Sequence, residues 1–125
     1  KPSDVAQIAE RGFRTLICNR PDGEDLMQPR FEEVAAAAQA AGLKAVYLPV
    51  TSATISVEAA QAFRDAISDG AGPAFAYCRS GTRSTMLWTI ASVLDGKPKA
   101  QLREAAARAG YDMSGLLKSL PGAEV

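Results

Sequence analysis

The most informative property of this sequence is what it lacks, and histidine comes first because none occurs among the 125 residues. Without histidine, the chain has neither the commonest general base of enzymes nor the commonest metal ligand of proteins. Any catalysis must therefore depend on a nucleophile that its surroundings activate. We expect no metal site and no cofactor.

Net charge and long apolar runs are also missing. Lys and Arg together number 14, as do Asp and Glu, so the formal net charge is zero. This balance argues against nucleic acid or an anionic membrane surface as the main partner. No apolar run approaches the roughly 18 residues that suggest a membrane span, and no signal peptide is recognisable. We therefore expect a cytoplasmic location, although a chain that begins at Lys1 need not include the natural N-terminus.

Cysteine is scarce, with only Cys18 and Cys78 in the chain. Two cysteines do not indicate a disulfide framework, which fits a reducing compartment. Cys18 lies in the run Thr15–Asn19 and is interpreted as a buried strand residue. A resolving-thiol role is the alternative.

What the sequence does contain is a regular alternation of β-prone and helical segments. The predicted strands are Phe13–Cys18, Lys44–Val50 and Pro73–Tyr77. Helices are predicted before Gly12, over Arg30–Ala41, over Val57–Ser68 behind a capping Ser56, up to Leu94 and over Lys99–Ala109, with a short turn near Ser114–Leu117.

Strands separated by helices of ten or more residues predict a parallel sheet with helices on both faces. The fold class is therefore α/β in three layers, and residues 1–125 are expected to form one domain. Three strands make a narrow sheet, so we expect a fourth strand before Lys1. In such sheets ligands bind beyond the carboxyl ends of the strands, which places the loops Asn19–Asp25, Pro49–Ile55 and Cys78–Ser84 on one rim.

The third of these loops has the composition of an anion-binding site. It carries Cys78 at its start, Gly81 inside it and Arg83 near its end, just where a buried helix begins. Free N–H groups at a helix start converge on an anion, and a thiol among them should have a pKa below the usual ~8.5. Arg83 adds a planar, permanently charged fork. The alternative is that Cys78 is only a small core residue.

Two reactions suit a cysteine in such a loop. In phosphoryl transfer the thiolate attacks phosphorus, and a separate acid protonates the leaving oxygen. In sulfur transfer the thiolate attacks a sulfane sulfur and becomes a persulfide, and the leaving sulfite or thiolate needs no dedicated acid. A chain without histidine fits the second reaction more easily.

The segment Cys78–Ser84 resembles the active loop of single-domain rhodanese sulfurtransferases, in which four residues separate cysteine and arginine. It is also similar to the protein tyrosine phosphatase loop, which has five residues there and a histidine where this chain has Tyr77. From Asp4 to Leu116 the chain resembles the phosphatase-like domain of beta-lactamase-hydrolase-like proteins, also described as a sulfurtransferase family. The residues that carry this resemblance are Gly12–Phe13, Asn19–Glu24, Tyr47–Val50, Tyr77–Ser84, Leu87–Trp88 and Ala109–Asp112.

The resemblance implies a dual-specificity-phosphatase-like fold that carries a rhodanese-like loop. Cys78 would then be the nucleophile and persulfide carrier, Arg83 the oxyanion clamp and Ser84 the hydroxyl that stabilises the thiolate. The substrate would be bound by the residues around them, which are Arg79, Ser80, Gly81 and Thr82. Relatives fused to persulfide dioxygenases imply such a domain as a fused or associated partner.

The acid that phosphatases of this fold carry is missing, because Thr51–Thr54 contains no carboxyl group. Asp22 or Glu24, on the same rim, could replace it, although both also fit solvated turn residues. Arg20 could add to anion binding, with a surface salt bridge as the alternative.

These observations favour a cysteine-dependent sulfurtransferase that moves sulfane sulfur from thiosulfate or a persulfide. A cysteine phosphatase that uses Asp22 or Glu24 as its acid is the first alternative. A non-catalytic module that binds oxyanions or docks to a partner enzyme is the second. The expected ligand is a small oxyanion or a persulfide.

Overall fold

A computed structural model gives the structure of the chain and describes residues 1–70 and 72–122. The described residues form one sheet of three parallel strands in the order β2-β1-β3. These are β1 (Thr15–Cys18), β2 (Lys44–Tyr47) and β3 (Ala74–Tyr77). Cys18 at the end of β1 is in register with Tyr47 and with Tyr77, so the three carboxyl ends lie along one edge.

The helices alternate with the strands as expected. A 3-10 turn (Pro2–Asp4) leads into the first of them, and they are α1 (Val5–Glu10), α2 (Phe31–Ala40), α3 (Val57–Ser68), α4 (Thr82–Leu94), α5 (Lys99–Arg108) and α6 (Ser114–Ser119). Ser56 caps α3 as predicted, because its Oγ accepts the Ala59 N–H at 3.1 Å. None of the helices in residues 1–70 and 72–122 is long and apolar enough to cross a membrane.

Apolar side chains on both faces of β1 organise the layers. All four residues of β1 are buried, which explains its continuous apolar run. Leu16 packs with Val5 and Val34 on the face covered by α1 and α2, whereas Ile17 packs with Phe63 and Leu87 on the face covered by α3 and α4. The predicted three-layer α/β fold is confirmed.

Element ends account for the differences from the sequence predictions. β1 begins at Thr15 rather than Phe13, and β2 ends at Tyr47 rather than Val50. Pro49, which has no N–H for a ladder, accounts for the early end of β2. The predicted final turn is the short helix α6. The fourth strand expected before Lys1 stays a prediction.

Candidate active site

The segment between β3 and α4 forms a tight loop around the Cys78 sulfur. β3 ends at Tyr77 and α4 begins at Thr82, so the chain must reverse within four residues. Gly81 makes this turn at φ 88° and ψ −10°, in the left-handed region that favours glycine. Its N–H donates to Cys78 Sγ at 3.1 Å. The loop therefore directs a backbone dipole at the thiol.

Hydrogen bonds around Cys78 outweigh its burial. Burial is the largest single influence on the Cys78 thiol and raises its pKa. Hydrogen bonds from the N–H and hydroxyl of Ser84, and from the N–H groups of Ser80 and Arg83, together lower the pKa by more than burial raises it. The net result is a pKa below the ordinary cysteine value. Because these backbone donors belong to the loop and to the start of α4, they surround the sulfur before any substrate binds and favour the thiolate.

Ser84 connects the loop to a buried asparagine that sequence reasoning did not single out. The Ser84 hydroxyl donates to Asn19 Oδ1 at 2.8 Å, and Asn19 Nδ2 donates to the Leu48 carbonyl at 2.9 Å. Asn19 is fully buried. Ser84 has one hydroxyl hydrogen, so Asn19 Oδ1 and the Cys78 thiolate compete for it. The available signal was the position of Asn19, a polar residue directly after a buried strand.

Arg83 is held by two acceptors on other loops. Its Nη1 donates to Glu24 Oε2 at 2.6 Å and to the Val50 carbonyl at 2.8 Å, and its Nη2 donates to Glu24 Oε1 at 2.9 Å. A guanidinium has five N–H donors. The three occupied ones leave the Nε–H and one Nη2–H, which lie side by side on one edge and form a fork.

The Arg83 guanidinium and the Cys78 sulfur also interact with each other. The pKa of Arg83 is raised first by its hydrogen bonds to Glu24, and the charge and hydrogen bond of Cys78 raise it further. The Arg83 side chain is only 14% exposed. The thiol and the cation predicted to act together are therefore neighbours in a largely enclosed position.

Glu24 has a different environment from that of a solvated turn residue. Both of its oxygens accept hydrogen bonds from Arg83, and Oε1 also accepts from Arg20 Nε at 3.1 Å. Arg83 is the first cause, and Arg20 a further one, of a Glu24 pKa below the ordinary glutamate value. Glu24 thus stays ionised, which favours a role in holding Arg83 over one in donating a proton.

Two further arginines lie beside this pair. Arg20 also donates from Nη2 to Asp25 Oδ2 at 2.5 Å, so the structure supports the salt-bridge interpretation of Arg20. The Arg79 side chain is 68% exposed, and its Nε lies 3.8 Å from the same Asp25 oxygen. A cavity of about 350 Å³ opens here and is lined by Glu24, Thr51, Ser52, Arg79 and Arg83.

The remaining predicted residues have local contacts. Asp22 Oδ1 accepts the Phe31 N–H at the start of α2 at 2.7 Å. This contact occupies one carboxylate oxygen and leaves the acid role of Asp22 a prediction. The Ser80 and Thr82 hydroxyl oxygens lie 3.1 Å apart at the exposed side of the loop. Their role in substrate binding likewise stays a prediction.

The two cysteines differ in their environments. Cys18 is 2% exposed and donates its S–H to the Arg20 carbonyl at 3.2 Å. Burial, the largest cause, raises the pKa of the Cys18 thiol. Cys78 is only partly buried and has a lowered pKa. Cys78 is therefore the more accessible thiol and the one with the lower pKa, and Cys18 is the buried strand residue that its sequence context indicated.

This difference predicts a pH dependence of alkylation. The rate of iodoacetamide addition follows the thiolate fraction, so a lowered pKa moves the midpoint to lower pH. In the folded Cys18→Ser variant, we expect the alkylation rate of Cys78 to have its pH midpoint below ~8.5, the pKa of a free cysteine. The native Cys78→Ser protein should react slowly throughout. Mass spectrometry against pH measures both rates, and a Cys78 midpoint at or above the ordinary value would contradict the prediction.

Comparison with known proteins identifies relatives over most of the chain. Residues 1–95 match the family model described as "Beta-lactamase hydrolase-like protein, phosphatase-like domain". A beta-lactamase hydrolase-like protein from Xylella fastidiosa is 41% identical over 111 residues, and one from Agrobacterium fabrum is 32% identical over 112 residues. The matches cover 88% and 89% of this chain but 26% of each relative, so the chain spans about a quarter of their length.

Solved structures show the same likeness. A Neisseria meningitidis protein that carries a provisional phosphatase name has a TM-score of 0.83 at 34% identity, over 94% of this chain and 84% of that one. TpbA from P. aeruginosa has a TM-score of 0.65 at 16% identity, over 97% of this chain and 76% of that one, which is a likeness of fold alone. The phosphatase-like fold implied by the sequence is thereby confirmed. Sequence and structure agree that the chain belongs to the phosphatase-like domain family of the beta-lactamase hydrolase-like proteins.

Proposed function

We propose that this domain is a cysteine-dependent phosphatase that hydrolyses phosphate monoesters through a phosphocysteine on Cys78. The observation that carries the proposal is the convergence of backbone N–H groups and the Arg83 guanidinium on a thiol with a lowered pKa. The phosphatase-like family and fold support this reaction over the sulfurtransferase that the sequence alone favoured.

The reaction divides into two displacements at phosphorus. The Cys78 thiolate attacks, an S–P bond forms, and the bond from phosphorus to the leaving oxygen breaks with its electron pair on that oxygen. Water then attacks the phosphocysteine, releases phosphate and regenerates the thiolate. Loop N–H groups and the Nε–H and Nη2–H of Arg83 would bind the non-reacting phosphate oxygens, where negative charge must be stabilised in both steps.

The carboxylates near the thiol indicate which leaving group the site can best release. Glu24 is ionised and bound to Arg83, so it is poorly suited to protonate an oxygen. Asp22 has one oxygen engaged and is the better candidate acid. A phenol, with a pKa of about 10, leaves with less help than an alcohol does. Aryl phosphates are therefore the substrate class that we propose, and TpbA has been crystallised as a C132S variant with phosphotyrosine.

Sulfur transfer is the second candidate, and one observation favours it. Four residues separate Cys78 from Arg83, as in the rhodanese loop, and Thr51–Thr54 offers no acid. The thiolate would attack the sulfane sulfur of thiosulfate, form a persulfide and release sulfite. A persulfide dioxygenase as a fused or associated partner belongs to this candidate and stays a prediction.

One experiment separates the candidates. The purified protein is incubated with p-nitrophenyl phosphate or with thiosulfate, and nitrophenol release and intact mass are measured. We expect steady nitrophenol release, inhibition by vanadate, and one phosphoryl group on Cys78 when the reaction is quenched with acid. Cys18→Ser is the matched control and should turn over normally.

Two other results would contradict the phosphatase proposal. A gain of one sulfur atom on Cys78 with thiosulfate, combined with no nitrophenol release, would replace the phosphatase by the sulfurtransferase. No turnover with either donor, together with phosphate binding that survives Cys78→Ser, would leave the non-catalytic oxyanion-binding module.

A further inference from the structure

The peptide group between Ser80 and Gly81 has a partner on each side. Its carbonyl oxygen accepts a hydrogen bond from the Tyr111 hydroxyl at 2.7 Å, and its N–H donates to Cys78 Sγ at 3.1 Å. The peptide is trans, so its C=O and N–H are coplanar and point in opposite directions. Whatever fixes the carbonyl therefore fixes the direction of the N–H.

We propose that Tyr111 is a positioning residue for Cys78, which acts by holding the Ser80 carbonyl so that the Gly81 N–H points at the sulfur. The inference rests on the proposed function and extends it, because it explains how a residue that acts through the Ser80–Gly81 peptide sets the reactivity of the nucleophile.

The loop itself does not fix this peptide. Gly81 has no Cβ, and glycine adopts positive and negative φ about equally well. Rotation of the Ser80–Gly81 peptide would turn its N–H away from the sulfur and direct its carbonyl dipole toward it. The hydrogen bond from Tyr111, which lies outside the loop, favours the observed orientation over the rotated one.

Tyr111 is in turn held by the C-terminal helices. It lies between α5 and α6, its N–H donates to the Ala106 carbonyl at 2.9 Å, and its ring packs against an apolar cluster. The buried members of that cluster are Leu102, Ala106, Met113 and Leu117. Tyr111 lies beyond residues 1–95, the part that matches the family model.

Tyr111 also restricts the residue that can occupy position 81. A Cβ built on Gly81 would overlap the Tyr111 hydroxyl. The tyrosine and the glycine therefore fit each other closely, with the hydroxyl occupying the space that any larger residue at position 81 would need.

The test compares the thiol in Tyr111→Phe and in the parent protein, both in a Cys18→Ser background. Tyr111→Phe removes one oxygen and keeps the ring in its cluster, so the fold should persist. Losing one hydrogen bond of typical strength should raise the alkylation midpoint of Cys78 by about half a pH unit to one unit. Below the midpoint the rate should fall about three- to tenfold.

A matched control removes a hydroxyl from the same region. Ser119 in α6 donates to the Leu116 carbonyl at 2.7 Å, so Ser119→Ala should leave the midpoint unchanged. Hydrogen exchange of the Gly81 amide is the second measurement, and it should be faster in Tyr111→Phe alone. Tyr111→Leu, which also keeps an apolar side chain in the cluster, should give the same shift.

An unchanged midpoint in folded Tyr111→Phe or Tyr111→Leu would overturn the inference. An equal shift in Ser119→Ala would do so too, since the effect would then reflect general loosening of the helices. Alkylation needs no substrate, so these outcomes are independent of phosphatase turnover. Failure of turnover with an intact midpoint shift would count against the proposed function alone.

Discussion

Replacing Cys78 by serine is expected to lower p-nitrophenyl phosphate turnover by roughly four to six orders of magnitude, the scale seen when an enzyme loses its nucleophile. A serine hydroxyl in the same loop stays protonated near neutral pH, so no anion is available to attack phosphorus. The loop amides and Arg83 remain, and phosphate should still bind. Initial rates and calorimetric titration with phosphate measure the two effects separately.

Cys18 offers a control with the same chemical change. Its sulfur donates to the Arg20 carbonyl, and a serine hydroxyl at that position can make the same hydrogen bond. Cys18→Ser should therefore retain the turnover of the parent protein. Comparable losses in both variants, or normal turnover by Cys78→Ser, would exclude Cys78 as the nucleophile.

Replacing Arg83 by lysine is expected to lower kcat/KM for the same substrate by about 10²- to 10³-fold, as when an enzyme loses an oxyanion donor. Lysine keeps the positive charge but has no planar fork to bind two phosphate oxygens together. It also cannot accommodate both oxygens of Glu24 and the Val50 carbonyl in the geometry that Arg83 has. Steady-state kinetics with a fold check by circular dichroism measures the loss.

Glu24→Gln separates charge from orientation at this site. The variant keeps the Arg83 cation but replaces a bidentate anionic partner by an amide, so kcat/KM should fall less than in Arg83→Lys. Glu10→Gln, at an exposed position in α1, is the matched control and should have no effect. An unchanged kcat/KM in Arg83→Lys would show that the guanidinium does not bind the reacting phosphate.

The part of the site that is contiguous in sequence could be predicted. Cys78, Gly81 and Arg83 lie within six residues, and a buried strand before them and a helix after them already imply converging amides. The central position of β1 was equally accessible, because a continuous apolar run is typical of a strand covered on both faces. Local patterns therefore sufficed for the fold class and for the position of Cys78 among the loop donors, whereas its role as nucleophile stays a prediction.

Hydrogen bonds and ion pairs between residues far apart in the sequence could not be predicted. Nothing in the run Asn19–Glu24 indicates that Asn19 accepts a hydrogen bond from Ser84, 65 residues away, or that Glu24 pairs with Arg83. The sequence offers both Asp22 and Glu24 as possible acids, with Asp22 as the predicted catalytic residue and Glu24 as a predicted substrate-binding residue, and the structure shows different partners for each. Which of several nearby charges pair is decided by side-chain packing in three dimensions, and residue types alone do not encode it.

The reaction class was also ambiguous for a physical reason. A thiolate beside an arginine stabilises negative charge on phosphorus and on sulfur compounds alike, so the loop by itself permits both chemistries. The absence of a dedicated acid makes the sequence alone favour sulfur transfer. The family and the fold instead support the hydrolysis of phosphate esters.

The span of these contacts bears on how the domain acquires activity during folding. Cys78 and its loop are held by groups from the first, second and last thirds of the chain, through Asn19, Val50 and Tyr111. Bringing such distant groups together costs loop-closure entropy, which is recovered only when the whole chain is ordered. In a nascent chain whose Tyr111 is still inside the ribosome, the loop around Cys78 therefore lacks the hydrogen bond from Tyr111 to the Ser80 carbonyl. We therefore expect Cys78 to become fully reactive only after α5 and α6 have packed and placed Tyr111 against the loop.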